Sequence, residues 1–311
     1  MIPFFSDAFL TAFVVAALAS AIPVMLAAIG ETVGEQAGVL NIGMEGMLLI
    51  GGYFGFVGTL ATDSFWLGFL IGALAGVVLS SIMMVLSVLL GLNQIVVGIG
   101  ITLAGTGVSS VLYDFNYGTS KPRLGLAAPW KIPFLSDIPV IGPSLFSQPG
   151  MFYISMLLAI LTSIWLYRTT SGLRLRSAGQ KPASLDAAGG NVLLTRSLAV
   201  LFGGAMSGLG GAYLALISAG TFTPGMTHGM GFLAIVVAML ARGRLLWVLA
   251  ISLIYGLFVA MGTVLQLTTL NIPNDVVTMM PFIAVMIVLT FFARKSALPA
   301  ALATPYIRGA R

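Results

Sequence analysis

From Phe65 to Tyr113 the chain carries no charged side chain. Soluble domains keep about a quarter of their residues charged. A helix needs roughly 20 apolar residues to cross the hydrocarbon of a bilayer. That stretch alone therefore holds two crossings, and the rest of the chain has the same character: 59% of its 311 residues are hydrophobic and 7% are charged. The expected fold class is all-α, a polytopic transmembrane helical bundle in which residues 1–311 form one membrane domain.

Nine apolar runs are candidate spans: Ala8–Ile29, Ile42–Ala61, Phe65–Leu90, Gln94–Tyr113, Gly150–Tyr167, Thr195–Ile217, Gly229–Ala241, Leu245–Leu267 and Asp275–Ala293. Met1–Asp7 has no Lys or Arg, and the run after it is long for a signal-peptide core, so the first run reads as a retained span. Lys and Arg in short loops stay on the cytoplasmic side. With all nine runs crossing and the C-terminus inside, 11 of the 14 basic residues lie inside and only Lys121, Arg123 and Lys131 lie outside. The N-terminus is then outside. Gly229–Ala241 is the weakest span, since its length reaches roughly 20 Å at 1.5 Å per residue against a hydrocarbon layer of about 30 Å. If that run turned back, the two following spans would invert and the charge asymmetry would be lost. Charge therefore favours a crossing, with Thr221–His228, which contains Pro224 and Gly225, completing the path as irregular backbone.

Two loops interrupt the apolar runs. Residues 114–149 form a long outer loop whose six prolines forbid a continuous helix. Residues 169–194 form a basic inner loop, with a short amphipathic helix expected after Pro182. Glycine is abundant, at 38 residues. Gly72 and Gly76 form one G-x-x-x-G, and Gly203, Gly204, Gly208, Gly210 and Gly211 cluster in the sixth run. Small residues let helix backbones approach closely in lipid, so these positions predict a tight bundle.

Chemistry-bearing residues are few. Gly30–Gly52 holds Glu31, Glu35 and Glu45, three of the nine acids in the chain, between several glycines. It reads as a broken or unwound helix between two spans. Glu31 and Glu35 are expected at a solvated membrane boundary. Glu45 lies further inside its span, where a functional role and structural pairing are both open. Asn41 and Glu45 are one helical turn apart. Asn93 and Gln94 stand at the start of the fourth run, either in a tight turn or, with Asn41 and Glu45, beside a path for a polar solute. Thr102 and Thr106 are expected to bond carbonyls of their own helix. His228 is the only histidine and makes no metal site by itself.

Several classes are excluded. With no cysteine there are no disulfides or thiolate metal sites. No phosphate-binding G-x-x-x-x-G-K-[ST] and no catalytic motif appears, so catalytic residues, metals and cofactors are not expected in this chain. The basic residues are scattered between apolar runs, which points to membrane lipid and not to nucleic acid.

The strings GETVGEQAGVLNIGMEGMLLIGG (30–52), Leu92-Asn93-Gln94, Gly172-Leu-Arg174-Leu-Arg176 through Gly189, and Thr223-Pro224-Gly225-Met226 with Gly229-Met230-Gly231-Phe232 follow one another in order. Together they resemble the permease subunits of bacterial ABC importers for simple sugars and nucleosides. The resemblance implies a type II importer fold in the inner (plasma) membrane and a second, homologous permease as partner. This chain is similar to the shorter member of such a pair. The resemblance also implies a cytoplasmic ABC ATPase that binds ATP and Mg, and an extracytoplasmic solute-binding lipoprotein. It places the ATPase contact in the inner loop, at Arg174, Arg176, Asp186, Ala187, Ala188 and Gly189. Gly190-Asn191 stands where the family pattern has a bulkier residue, which bears on the length of the helix there. Asn41, Glu45, Asn93 and Gln94 are the pathway candidates. The rival reading is an ion-coupled secondary transporter of a small polar solute. It needs acids or histidines along the midplane, and the third to ninth runs offer only Asp275, at an edge.

Overall fold

The computed structural model describes residues 6–118, 120–266 and 298–307, with isolated positions between 279 and 290. Its long helices are α1 (Asp7–Ala37), α2 (Met44–Thr62), α3 (Phe65–Met83, continued by a π-helical stretch Met84–Leu89) and α4 (Gln94–Tyr117). A short hairpin, β1 (Pro129–Lys131) and β2 (Ser147–Pro149), encloses the single turn α5 (Ile141–Leu145). Then follow α6 (Gly150–Arg168), the loop helices α7 (Thr170–Gln180) and α8 (Pro182–Ala187), and α9 (Val192–Tyr213, with a π-helical stretch Leu214–Ser218). The short α10 (Met230–Ala241) and α11 (Leu245–Gln266) complete the set. Seven of these helices are long and apolar enough to cross a membrane. The chain is an all-α polytopic bundle. The ninth run predicted from sequence, Asp275–Ala293, falls largely outside the described residues.

The segment expected to be broken over Gly30–Gly52 is helical for longer than its glycines suggested. α1 continues through Glu31 and Glu35 to Ala37, and the break is confined to Gly38–Gly43. Packing explains the difference. Gly30 faces Gly203 of α9 so closely that a Cβ would meet its carbonyl at 2.9 Å, so the glycine serves helix contact and not unwinding. α1 has 31 residues and runs roughly 46 Å at 1.5 Å per residue. Ser6 caps its start, accepting from Phe9 N at 3.3 Å. Pro23 lies within it and cannot donate to the Ala19 carbonyl. The Ser218 hydroxyl, at the end of the α9 π-stretch, donates to that carbonyl instead at 3.0 Å.

α2 and α9 form the interior with α1, while α3 and α4 turn most of their apolar surface outward: 78% of the apolar window of α2 is buried, against 28% for α4. The glycines make this arrangement possible. Gly51 of α2, Gly72 of α3 and Gly208 of α9 converge, and a Cβ on Gly72 would lie 2.7 Å from the Gly51 carbonyl oxygen. Backbones in direct contact replace the hydrophobic drive that lipid does not supply.

At the hairpin end of the bundle, Trp66 and Trp130 pack with ring centroids 5.8 Å apart. The loop is tied to the bundle where Leu124 N donates to Gly220 O at 2.8 Å and Thr221 Oγ1 to Pro122 O at 3.0 Å. Replacing Gly208 with valine should lower the thermal unfolding midpoint of the detergent-solubilised protein, with an overpacking cost of about 1–3 kcal/mol. Gly100→Ala, whose Cβ would meet nothing within 4 Å, should leave the midpoint unchanged or raise it.

Candidate functional site

Helical structure is interrupted at 38–43, between α1 and α2, and at 219–229, before α10. Each break leaves backbone donors and acceptors that a helix would have paired. At the first break, polar side chains take them up one by one. Leu40 N donates to Gln94 Oε1 at 2.8 Å, Asn41 N to Glu31 Oε1 at 3.0 Å, and Gly43 N to Asn41 Oδ1 at 3.0 Å. The Thr102 hydroxyl donates to Ile42 O at 3.0 Å. Thr102 therefore bonds the link beside it, not its own helix as expected. Gly38 N and Val39 N close back onto Glu35 O and Gly34 O, both at 2.9 Å, with Gly38 in the left-handed conformation at φ +90°.

At the second break Glu45 does the same from across the bundle. Its Oε1 accepts from the Thr227 hydroxyl at 2.5 Å and from Gly229 N at 2.8 Å, and its Oε2 accepts from Gly231 N at 2.6 Å. The carboxylate thus occupies the N-terminus of α10, where free amides and the helix dipole favour a negative charge. Gly229 caps that helix at φ +86°. Gly231 packs on the Glu45 backbone with no room for a Cβ. The 12 residues of α10 run roughly 18 Å from this carboxylate to the turn at Gly243. Gly243 abuts Gln36 at the inner end of α1 and accepts a hydrogen bond from the Tyr167 hydroxyl. Residues 219–229 lead into this short helix, and Glu45 closes the joint between them.

Three of the four pathway candidates, Asn41, Glu45 and Gln94, are therefore buried and gathered at the breaks. Asn93 stands apart on the surface, where its side chain caps α4 by accepting from Ile95 N at 2.9 Å and Val96 N at 3.2 Å. Glu31 and Glu35 were expected in solvent, but both are 1% exposed, because α1 continues past them and α9 and the link cover it. His228 is exposed, and no metal-holding cluster occurs among the described residues.

The loop end has its own geometry. Thr169 caps α7, accepting from Gly172 N at 3.1 Å. Leu175 buries against Val33, Ala37 and Leu166, so α7 is fastened to α1 and α6. The expected short helix after Pro182 is present as α8, and it ends at Ala187, before Gly190-Asn191. Leu185 anchors it on Ala178, Val192 and Tyr306. Ala187, Ala188 and Gly189 are exposed at the tip, while Asp186, half-buried, borders a cavity of about 330 Å³ with Gly189–Leu193 and Tyr306. Arg174 is exposed. Arg176 instead lies over the Tyr167 ring at 4.9 Å, away from the tip.

The sequence reading missed Thr227, although Thr-His-Gly-Met-Gly before an apolar run carries the small residues and hydroxyl of a helix start. It also counted Arg196 only as a loop charge, although that residue lies inside a predicted span. Glu45→Ala should cost on the order of 3 kcal/mol, since it strands three donors that now meet its carboxyl oxygens. Thr227→Val should cost about 1–2 kcal/mol, and the two changes should be less than additive. Unfolding of the purified protein in mixed micelles measures both.

The family model described as the permease component of branched-chain amino acid transport systems matches residues 13–290. The chain is 33% identical to the nucleoside ABC transporter permease protein NupC of Lactococcus lactis subsp. cremoris, over 92% of this chain and 93% of that protein. It is 32% identical to the guanosine ABC transporter permease protein NupQ of Bacillus subtilis, over 97% of this chain and 98% of that protein. It is 33% identical to the putative glucose ABC transporter permease protein TsgC13 of Haloferax volcanii, over 79% of this chain and 75% of that protein. No solved structure matches. A helical bundle, a braced pair of helix breaks and this likeness along nearly the whole chain lead to one identity: the chain belongs to the branched-chain amino acid transport system permease family and is a membrane permease subunit of an ABC importer, a transport component and not an enzyme.

Proposed function

We propose that the chain carries a nucleoside or a simple sugar inward across a bacterial inner membrane, with the α7–α8 end in the cytosol and the N-terminus outside. The family implies an ATPase and a solute-binding protein as partners in general. In the proposed arrangement the ATPase grips the tip Asp186–Gly189, the binding protein docks at the outer hairpin, and a second, different permease completes the pathway. The supporting observation is the tip itself. It is exposed, yet Leu185 and Leu175 pin it to the bundle, so force applied there reaches the spanning helices. Nucleosides are favoured among solutes by the likeness to NupC and NupQ, which extends over more than nine-tenths of each chain. The basic residues of the loop, Arg174 and Arg176, also suit an anionic lipid surface beside the docking site.

The chain contains no cysteine, which gives a clean background for crosslinking. Ala187→Cys should crosslink to the ATPase co-expressed with it, and Leu126→Cys, fully exposed in the outer loop, should not. The reverse pattern would contradict the orientation. Vesicles holding the whole importer should take up nucleoside with ATP and not with an ion gradient alone.

A further inference from the structure

Arg196 sits in the second turn of α9, after the Asn191 cap, and is 2% exposed. Its guanidinium donates to four backbone carbonyls. Nε reaches Ala37 O at 3.2 Å, Nη1 reaches Thr304 O at 2.7 Å, and Nη2 reaches Ala178 O at 3.2 Å and Ala301 O at 3.4 Å. Those carbonyls belong to the last residue of α1, the final turn of α7, and the segment 298–307. The last carbonyls of a helix have no partner within it, and a cation at that end also meets the favourable pole of the dipole. One side chain thus closes two helix ends and holds a third strand of chain against them.

Further contacts seat that strand. Ala301 N donates to Gly179 O at 2.9 Å and Ala303 N to Gly38 O at 3.2 Å. Gly38 has no alternative at this point, since a Cβ there would stand 2.8 Å from Arg196 Nη2. Beyond Thr304, Tyr306 packs with Leu185, Ala178 and Val192 and borders the cavity beside Asp186. Residues 298–307 therefore run from the end of α1 to the root of the tip.

We infer that Arg196 is a positioning residue that locks α1, α7, α9 and the 298–307 segment into one lever, so that movement imposed on the Asp186–Gly189 tip displaces the spanning helices and not the loop alone. This rests on the ATPase-docking reading of the tip. A guanidinium suits the task because its planar fork points donors in several fixed directions, whereas a lysine ammonium offers a single point on a flexible stem.

The test uses the assembled importer in proteoliposomes, comparing wild type, Arg196→Gln, Arg196→Lys, a chain lacking residues 299–311, and that deletion combined with Arg196→Gln. Complex recovered, ATP hydrolysed and nucleoside taken up are measured on each. With Arg196→Gln the recovered complex and its hydrolysis rate should stay within about twofold of wild type, while nucleoside moved per ATP falls about tenfold, a coupling loss of ordinary allosteric size. The deletion should give the same loss, the combination no further loss, and Arg196→Lys an intermediate value, as expected of groups acting in one contact. Loss of uptake and hydrolysis in proportion to complex recovered would overturn the proposal, since that marks a purely structural residue. Wild-type coupling in Arg196→Gln would overturn it too. Failure of the docking reading is reported separately, by absence of the ATPase crosslink from position 187 in the otherwise wild-type chain.

Discussion

Backbone amides and carbonyls inside a membrane have no water to bond, and each one left open costs several kcal/mol. This chain breaks its helical ladder at two places within the bundle, 38–43 and 219–229, so the fold depends on what fills those gaps. Glu45 is the central piece. It stands at the start of the helix that follows the first break and closes the start of the helix that follows the second. Its two carboxyl oxygens take up one hydroxyl and two amides, so a single side chain satisfies three donors. It also fixes α2 and α10 against each other across more than 180 residues of sequence.

The same solution explains the composition of the neighbourhood. A buried carboxylate needs close-approaching backbone, and Gly229 and Gly231 provide it. The link at 38–43 needs acceptors and donors from its sides, and Gln94, Glu31, Asn41 and Thr102 provide them. An importer must open alternately to either side. At the loop end, Leu175 packs α7 against α1 and α6.

Much of this was legible in the residues. Apolar stretches gave seven of the nine predicted runs as helices long enough to span, the proline series gave the non-helical stretch after α4, and the short apolar length of 229–241 pointed to irregular backbone at Thr221–His228. The extent of α1 was not legible. Gly30, Gly34 and two acids read as a break, whereas the glycines are contact points for α9 and the link. Local composition cannot distinguish a glycine that unwinds a helix from one that admits a neighbour. For the same reason Glu31 and Glu35 read as solvated, since their cover comes from α9 and from the returning chain, distant or irregular in sequence. Glu45 could be narrowed to function or pairing but not resolved, because its partners lie in a segment with no charge to announce them. Arg196 was lost among loop charges because all its acceptors are main-chain carbonyls, which leave no trace in side-chain identity.

Amide hydrogen exchange over 219–231, measured on the permease in lipid nanodiscs with and without Glu45→Gln, tests the carboxylate joint most directly. The account predicts that Gly229 and Gly231 exchange as slowly as the interior of α2 in the native chain, and that the glutamine form frees them while α3 and α4 are unaffected. Rapid exchange at both glycines in the native chain would contradict it.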